Sequence, residues 1–357
     1  LGMCAGRSNT EGCYNNFLGL CAGKNNTTGS SNIFMGISAG KENTIGCNNV
    51  FIGNNAGCAN IDGVYNILIG QVAGMSQTSA NHNIFMGRCA GRNNTSGEQN
   101  VFMGRYAGCC NTTGSSNFIV GGSAGACTTT GSFNVFLGSA AGLNNDSGAC
   151  NIFIGRCAGR NNNDGNDNTF LGAYAGCANT GGDTNIFVGK FAGCDNTSGS
   201  HNLFLGYEAG KYNATGSQNI YLGCKAGGSG GFGNFAAGRC AGCSITTGAE
   251  NTFIGTRAGL SNTNGSYNVF FGRYAGICNT SGSCNVFLGR QAGAKNTTGT
   301  KNNFLGHCAG RCNTTGNNGN FFGSNAGENN TTGTSNNFLG AQAGRFTTDG
   351  GQNNFMG

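Results

Sequence analysis

The sequence predicts an all-β protein, a parallel β-solenoid (β-roll) of about 21 coils of 17 residues each. Three observations carry that reading. One unit recurs from Phe17 to Phe355 with a single change of length. Glycine returns at three fixed places in the unit and supplies 70 of the 357 residues. Proline and tryptophan are both absent. Self-similarity at a short fixed period marks a repeat architecture, in which stacked copies bury what one copy cannot. A chain without proline suits a ladder that needs nearly every backbone N–H as a donor.

The unit reads Phe-Leu-Gly-x-x-Ala-Gly-x-x-Asn-Thr-Thr-Gly-Ser-x-Asn-Ile, with Phe17 at position 1. Position 1 is Phe except at Leu68, Ile119, Tyr221 and Ala236, and position 2 is always apolar. Gly holds position 3, Ala position 6 and Gly position 7 in every copy, while Asn holds position 16 everywhere but at Gly319. Apolar residues cluster around position 1 and do not recur at helical spacing, and 17 residues are too few for a helix pair or a propeller blade. Each copy is therefore expected to form one β-coil. The glycines should supply its corners, because glycine alone takes positive φ without steric cost. Asn at positions 10 and 16 should stack on its own copies as amide ladders.

The chain reads as a single array over residues 1–357, a fragment of a longer fibre. A short irregular copy at 221–235 runs through Gly-Gly-Ser-Gly-Gly, where a defect or bend is expected. Apolar runs never approach the roughly 20 residues that a membrane-spanning helix needs, so membrane insertion is not expected.

Strand alternation sends position 1 to one face and positions 17 and 2 to the other. Both faces are apolar. One lines the coil, and the other is best buried against a neighbouring chain, so the expected assembly is a homotrimeric or filamentous rod. At the last four full copies position 17 turns polar, with Asn303, Asn320, Asn337 and Asn354.

Fifteen of the 19 basic residues fall at positions 4 and 8. Arg88, Arg105, Arg156, Arg273 and Arg290 at position 4, with Arg92, Arg160 and Arg311 at position 8, would form a basic ridge. Such a ridge could keep the array soluble, pair fibres laterally or hold a polyanionic glycan. Nucleic acid is not an expected partner, since aromatics at the basic positions are few. Nine of the 13 acidic residues fall at positions 11 to 15, which places the two signs on different edges.

The 20 cysteines follow the repeat, a usage that suggests an oxidising, extracellular setting. Cys4 with Cys21, Cys110 with Cys127 and Cys177 with Cys194 stand one copy apart in one column, so they are the candidate disulfides. Cys240 and Cys243 form a C-x-x-C with no second pair to complete a zinc site. Asn-x-Thr/Ser sequons recur at position 10, at Asn26, Asn94, Asn111, Asn196, Asn279, Asn296, Asn313 and Asn330, as candidate N-glycosylation sites. The same residues also suit turns and ladders. Only His82, His201 and His307 are present, each in a different copy, and carboxylates form no recurring pair. No catalytic, metal or cofactor arrangement follows, and an enzyme is not expected.

The Gly, Ala-Gly and Asn-Thr-Thr-Gly positions make the unit resemble the repeats of phage and bacterial tail-fibre proteins. They also look like the head repeats of trimeric autotransporter adhesins. The resemblance implies a trimeric β-roll, displayed on a cell or virion surface, that holds or presents a binding tip. The expected function is that of a structural extracellular or virion fibre segment, a rigid spacer or scaffold. The alternative is an adhesin-type module that attaches to glycans or cell surfaces through the basic ridge.

Overall fold

In the computed structural model, which describes residues 2–357, the chain divides into two compact units, Leu1–Asp183 and Thr184–Gly357. Both are built the same way. The first holds ten three-residue strands, from β1 (Asn16–Leu18) and β2 (Ile33–Met35) to β10 (Thr169–Leu171). The second holds eleven, from β11 (Ile186–Val188) to β21 (Asn354–Met356). Within each unit every strand pairs in parallel with the next in sequence, and like residues lie opposite like. Phe17 faces Phe34 in the first unit and Phe270 faces Phe287 in the second. The sequence period is thus one turn of a β-solenoid, and no helix occurs among the described residues.

Alternation along the strand decides what lies inside. Position 1 points inward, and Phe34, Phe51, Phe270 and Phe287 are fully buried. Successive rings stack with centroids 4.6 to 5.2 Å apart. That is the spacing of paired strands, so parallel register alone aligns the rings. Each buried ring contributes roughly 2–3 kcal/mol. Ala at position 6 closes the other side of the coil and is equally buried. Positions 17 and 2 point outward, with Ile33, Ile152 and Ile186 exposed by 39%, 40% and 45%.

The corners are made differently from what the glycine pattern suggests. Gly at positions 3 and 7 does take positive φ, as at Gly272 (φ 142) and Gly276 (φ 55). Gly at position 13 does not. It is required by close approach: a Cβ on Gly148 would stand 2.5 Å from both the Gly165 carbonyl oxygen and Asn145 Oδ1. Two further corners, at positions 5 and 15, adopt the left-handed region without glycine, including Cys21 (φ 55), Val72 (φ 52), Phe133 (φ 60) and Tyr274 (φ 64). Each costs on the order of 1 kcal/mol or more and persists because hydrogen bonds on both sides fix the backbone. At position 5 the N–H donates to the position 4 carbonyl of the preceding coil, as from Tyr106 to Arg88 at 3.0 Å.

The two asparagine columns are both buried, but only one is a simple amide ladder. At position 10, Asn43 Nδ2 donates to Asn26 Oδ1 of the preceding coil at 2.7 Å and to the Gly46 carbonyl of its own corner at 3.1 Å. At position 16 the side chain mainly ties backbone to backbone. Asn32 Nδ2 donates to the Gly46 carbonyl and Asn32 Oδ1 accepts from the Asn49 N–H, both in the following coil. Buried amides so placed satisfy corner groups that no strand partner reaches.

Where the buried position 10 ladder is broken, position 1 departs from phenylalanine in the same copy; only the copy of Phe338 keeps its ring with Thr at position 10, and there Thr347 is just half-buried. Leu68 goes with Gln77, Ile119 with Thr128, and Ala236 with Ile245, while the copy of Tyr221 has no position 10 residue. The coil interior is a fixed volume shared by positions 1 and 10, so shrinking one side chain requires the other to change. Ile245 is fully buried, and its Cδ1 and Ala236 Cβ both line the space beside Gly242. Three of the gaps leave a buried amide oxygen without a partner, on Asn60, Asn111 and Asn213, the last asparagines before them, whereas Asn330 Oδ1, the last before Thr347, accepts from Asn336 Nδ2 at 3.3 Å.

The short copy does not interrupt the strand face. Between β13 (Ile220–Leu222) and β14 (Phe235–Ala237) the register holds, with Tyr221 opposite Ala236. The shortening is taken up at the position 10 corner, where Ser229 stands in for the position 11 backbone and accepts from the Ala214 N–H at 3.2 Å. Tyr221 stacks on Phe204 at 4.9 Å. Its hydroxyl is buried near Asn234 without a hydrogen bond of good geometry, and burial pushes its pKa up.

Candidate functional site

The side chains of positions 4, 5 and 8 share one flank of the solenoid, and they include most of its basic residues. Position 5 residues sit there because their left-handed backbone turns Cβ away from the coil interior. Arg88, Arg105, Arg156, Arg160, Arg273 and Arg290 are exposed, whereas Arg92 and Arg311 are half-buried. The aromatics that the basic positions lack are found in the adjacent position 5 column. Arg88 and Arg105 lie 5.7 and 5.1 Å from the Tyr106 ring, Arg156 lies 4.8 Å from Tyr174, and Arg257 and Arg273 lie 6.0 and 4.7 Å from Tyr274. These are cation–π distances. Arg273 Nη2 also donates to the Tyr274 hydroxyl at 3.1 Å, and that bond, with the charges of Arg273, Arg257 and Arg239, lowers the tyrosine's pKa.

Two carboxylates on this flank are ion-paired. Glu208 meets Lys211 and Lys225, both at 3.5 Å, and Glu328 meets Arg311 at 3.4 Å and Arg345 at 2.9 Å. Reading positions 4 and 8 alone misses the most continuous part of the ridge. Arg239, Arg257, Arg273 and Arg290 occupy four successive coils because Arg257 sits at position 5. Tabulating positions 4 and 5 together would have found it.

None of the four cysteines Cys4, Cys21, Cys110 and Cys127 is in a disulfide, which corrects the expectation for those two pairs. The reason is geometric. In-register stacking holds Cβ atoms as far apart as Cα atoms, about 4.8 Å, whereas a disulfide needs Cβ atoms about 3.5–4.5 Å apart. Cys177 and Cys194 are both half-buried, one in each unit. Cys109 and Cys110 bring their Sγ atoms to 3.8 Å from one another. Burial, helped by Cys110, pushes the Cys109 pKa up to about 12, and burial raises Cys127 as well. These thiols are poor nucleophiles.

The eight sequon asparagines all lie in the buried position 10 column. Asn26, Asn94, Asn111, Asn196, Asn279, Asn296, Asn313 and Asn330 each spend Nδ2 on a corner carbonyl, for example Asn94 to Gly97 at 2.9 Å and Asn296 to Gly299 at 3.0 Å. The folded coil leaves no room for a glycan on that nitrogen.

Cys240 and Cys243 line a recess of about 160 Å³ beside the short copy, together with Glu208, Tyr212, Lys225 and Gly227. Among the described residues no group of three or more His, Cys, Asp or Glu converges as a metal site. No family model matches the chain, and a search of curated proteins finds no match.

Proposed function

We propose that this chain is a structural segment, a rigid β-solenoid spacer or scaffold within an extracellular or virion fibre of the tail-fibre or adhesin-head kind. Copies of it associate side by side through the outward stripe of positions 17 and 2, as a homotrimer. One observation carries this reading: on both units the strand face opposite the phenylalanine column stays apolar over successive coils. Ile152, Ile154, Ile186 and Phe271 are exposed by 39–54%. A single chain so stacked has already satisfied its backbone, so what it still offers is a long, regular, greasy edge. Surfaces of that kind mark association sites. A second copy fits best, because it would bring the same stripe at the same coil spacing. In the last coils the stripe gives way to an amide ladder, Asn303 to Asn320 to Asn337 to Asn354, each step 2.8 Å.

Sedimentation equilibrium of the chain and of a triple variant, Ile152→Glu, Ile186→Glu and Phe271→Glu, tests it. The expected result is a trimer that the variant dissociates to monomers with unchanged circular dichroism. A wild-type chain that stays monomeric at the highest workable concentration overturns the association. Fibre diffraction without a reflection near 4.8 Å would overturn the solenoid itself.

A further inference from the structure

We propose that the flank of the second unit formed by Arg239, Arg257, Arg273 and Arg290 binds a linear acidic polysaccharide, one anionic group per coil. This goes beyond the spacer role and does not depend on it. The protein's net charge of +6 resides here: from Arg239 to Arg311 the chain carries seven basic residues and one carboxylate, Glu250, whereas the remainder carries twelve of each sign. Glu250 is at position 15, on a different corner. The carboxylates of the flank itself, Glu208 and Glu328, lie before and after the stretch and are held by their own cations. The four guanidiniums thus form no ion pair among the described residues.

Their spacing is fixed by the backbone. The Arg257 N–H donates to the Arg239 carbonyl at 2.9 Å, and the Gln291 N–H to the Arg273 carbonyl at 3.0 Å, which locks the columns coil by coil. Cationic forks therefore recur once per coil, about every 4.8 Å, with Arg257 set one residue to the side of the position 4 column. Arg239, Arg273 and Arg290 are exposed, and Arg257 is half-buried beside Tyr274. Thr256 and Gln291 stand in the same two columns and can serve sugar hydroxyls. The depressed Tyr274 pKa reports the same positive potential.

An acidic polysaccharide fits this surface better than nucleic acid does. A duplex strand advances about 3.4 Å per phosphate while winding around its axis, so a straight ridge follows it over only a short arc. Single strands are held by stacking on open aromatic faces, and Tyr274 is flanked by Arg257 and Arg273. Guanidinium forks suit planar carboxylates and sulfates.

Fluorescence anisotropy of the full chain with labelled oligogalacturonate, sulfated dextran oligosaccharide, neutral dextran and single-stranded DNA of matched charge tests the proposal. The expected result is binding of one or both acidic sugars, with a log–log salt slope near about −3 for four contacts. Replacing Arg239, Arg257, Arg273 and Arg290 with Gln should weaken binding at least tenfold. Removing Arg88, Arg105, Arg156 and Arg160 in the same way should change it less than twofold. Replacing the first four with Lys, which preserves net charge, should weaken it severalfold with unchanged circular dichroism. Equal losses from the two Gln sets, tighter binding of DNA, or equal binding of neutral dextran would each overturn the proposal.

Discussion

The run of coils from Phe253 to Phe321 and the short copy from Tyr221 to Phe235, with the copy of Ala236 that follows it, lie in the same unit and share one strand register, yet their interiors are filled differently. In the first, phenylalanine and asparagine alternate without exception as partners across the coil, and Asn279, Asn296 and Asn313 hand one hydrogen bond to the next at 2.7 Å. In the second, the asparagine is gone, Tyr221 and Ala236 replace the phenylalanines, and Ile245 fills the space. The strand does not register the change at all. The comparison teaches that the solenoid tolerates variation coil by coil, provided that positions 1 and 10 vary together.

Three changes break or sharpen that contrast. The largest effect is expected from Phe287→Ala, which opens a cavity in the regular run and should cost about 3–5 kcal/mol. Adding Asn296→Ile reproduces the Ala236 and Ile245 pairing. The double variant should lie at least about 1 kcal/mol above the sum of the two single variants. Native-state hydrogen exchange at the flanking coils measures both, since a repeat array need not unfold as one unit. Strict additivity would show that the two columns pack independently.

Next is Asn279→Ala. This side chain donates to Asn262 and Gly282 and accepts from Asn296, so its removal strands Asn262 Oδ1, takes one partner from each of the other two and should cost about 2–4 kcal/mol. Asn213→Ala should cost about 1 kcal/mol less, because Asn213 Oδ1 already lacks a donor. Exchange rates at the two sites that change equally would contradict the account of where the ladder ends.

The smallest effect belongs to Tyr221→Phe. The buried hydroxyl makes no hydrogen bond of good geometry, so its loss should be neutral or stabilise by up to about 1 kcal/mol. The pH dependence separates the variants. Burial raises the folded-state pKa above the ordinary 10.0, so the neutral phenol's contribution is full below pH 10.0 and is lost as pH rises beyond it. Denaturant melts between neutrality and strongly alkaline pH should show that loss in the wild type and a smaller one in the variant.

Much of this architecture was legible because its demands repeat. Phe at position 1 and Gly at positions 3 and 7 return in register, and register alone implies stacking. Alternation separated position 1 from positions 17 and 2, but with both faces apolar only the burial of the phenylalanines shows which one lines the coil. What escaped the sequence was any feature whose residue type does not announce it. Val72 and Phe133 are poor choices for a left-handed corner, and nothing in their identity signals one; hydrogen bonding from neighbouring coils imposes it. Asn-Thr-Thr-Gly spells both a glycosylation site and a buried corner, and only burial separates the two. The cysteine columns suggested bridges from Cα spacing, but parallel Cβ vectors keep Cys4 from Cys21. The arginine run was hidden because Arg257 lies one place away from its column.

The dependence of each coil on its immediate neighbours, with like residue over like, has a genetic corollary. Unequal exchange between misaligned copies would insert or remove whole turns, and the new junction would place Phe over Phe and Asn over Asn as before. Only crossovers within the segment between positions 1 and 10 of an atypical copy, such as that of Ile119 and Thr128, would separate coupled partners. Length in this protein is therefore free to drift under selection, while the breakpoints that survive should cluster outside that segment.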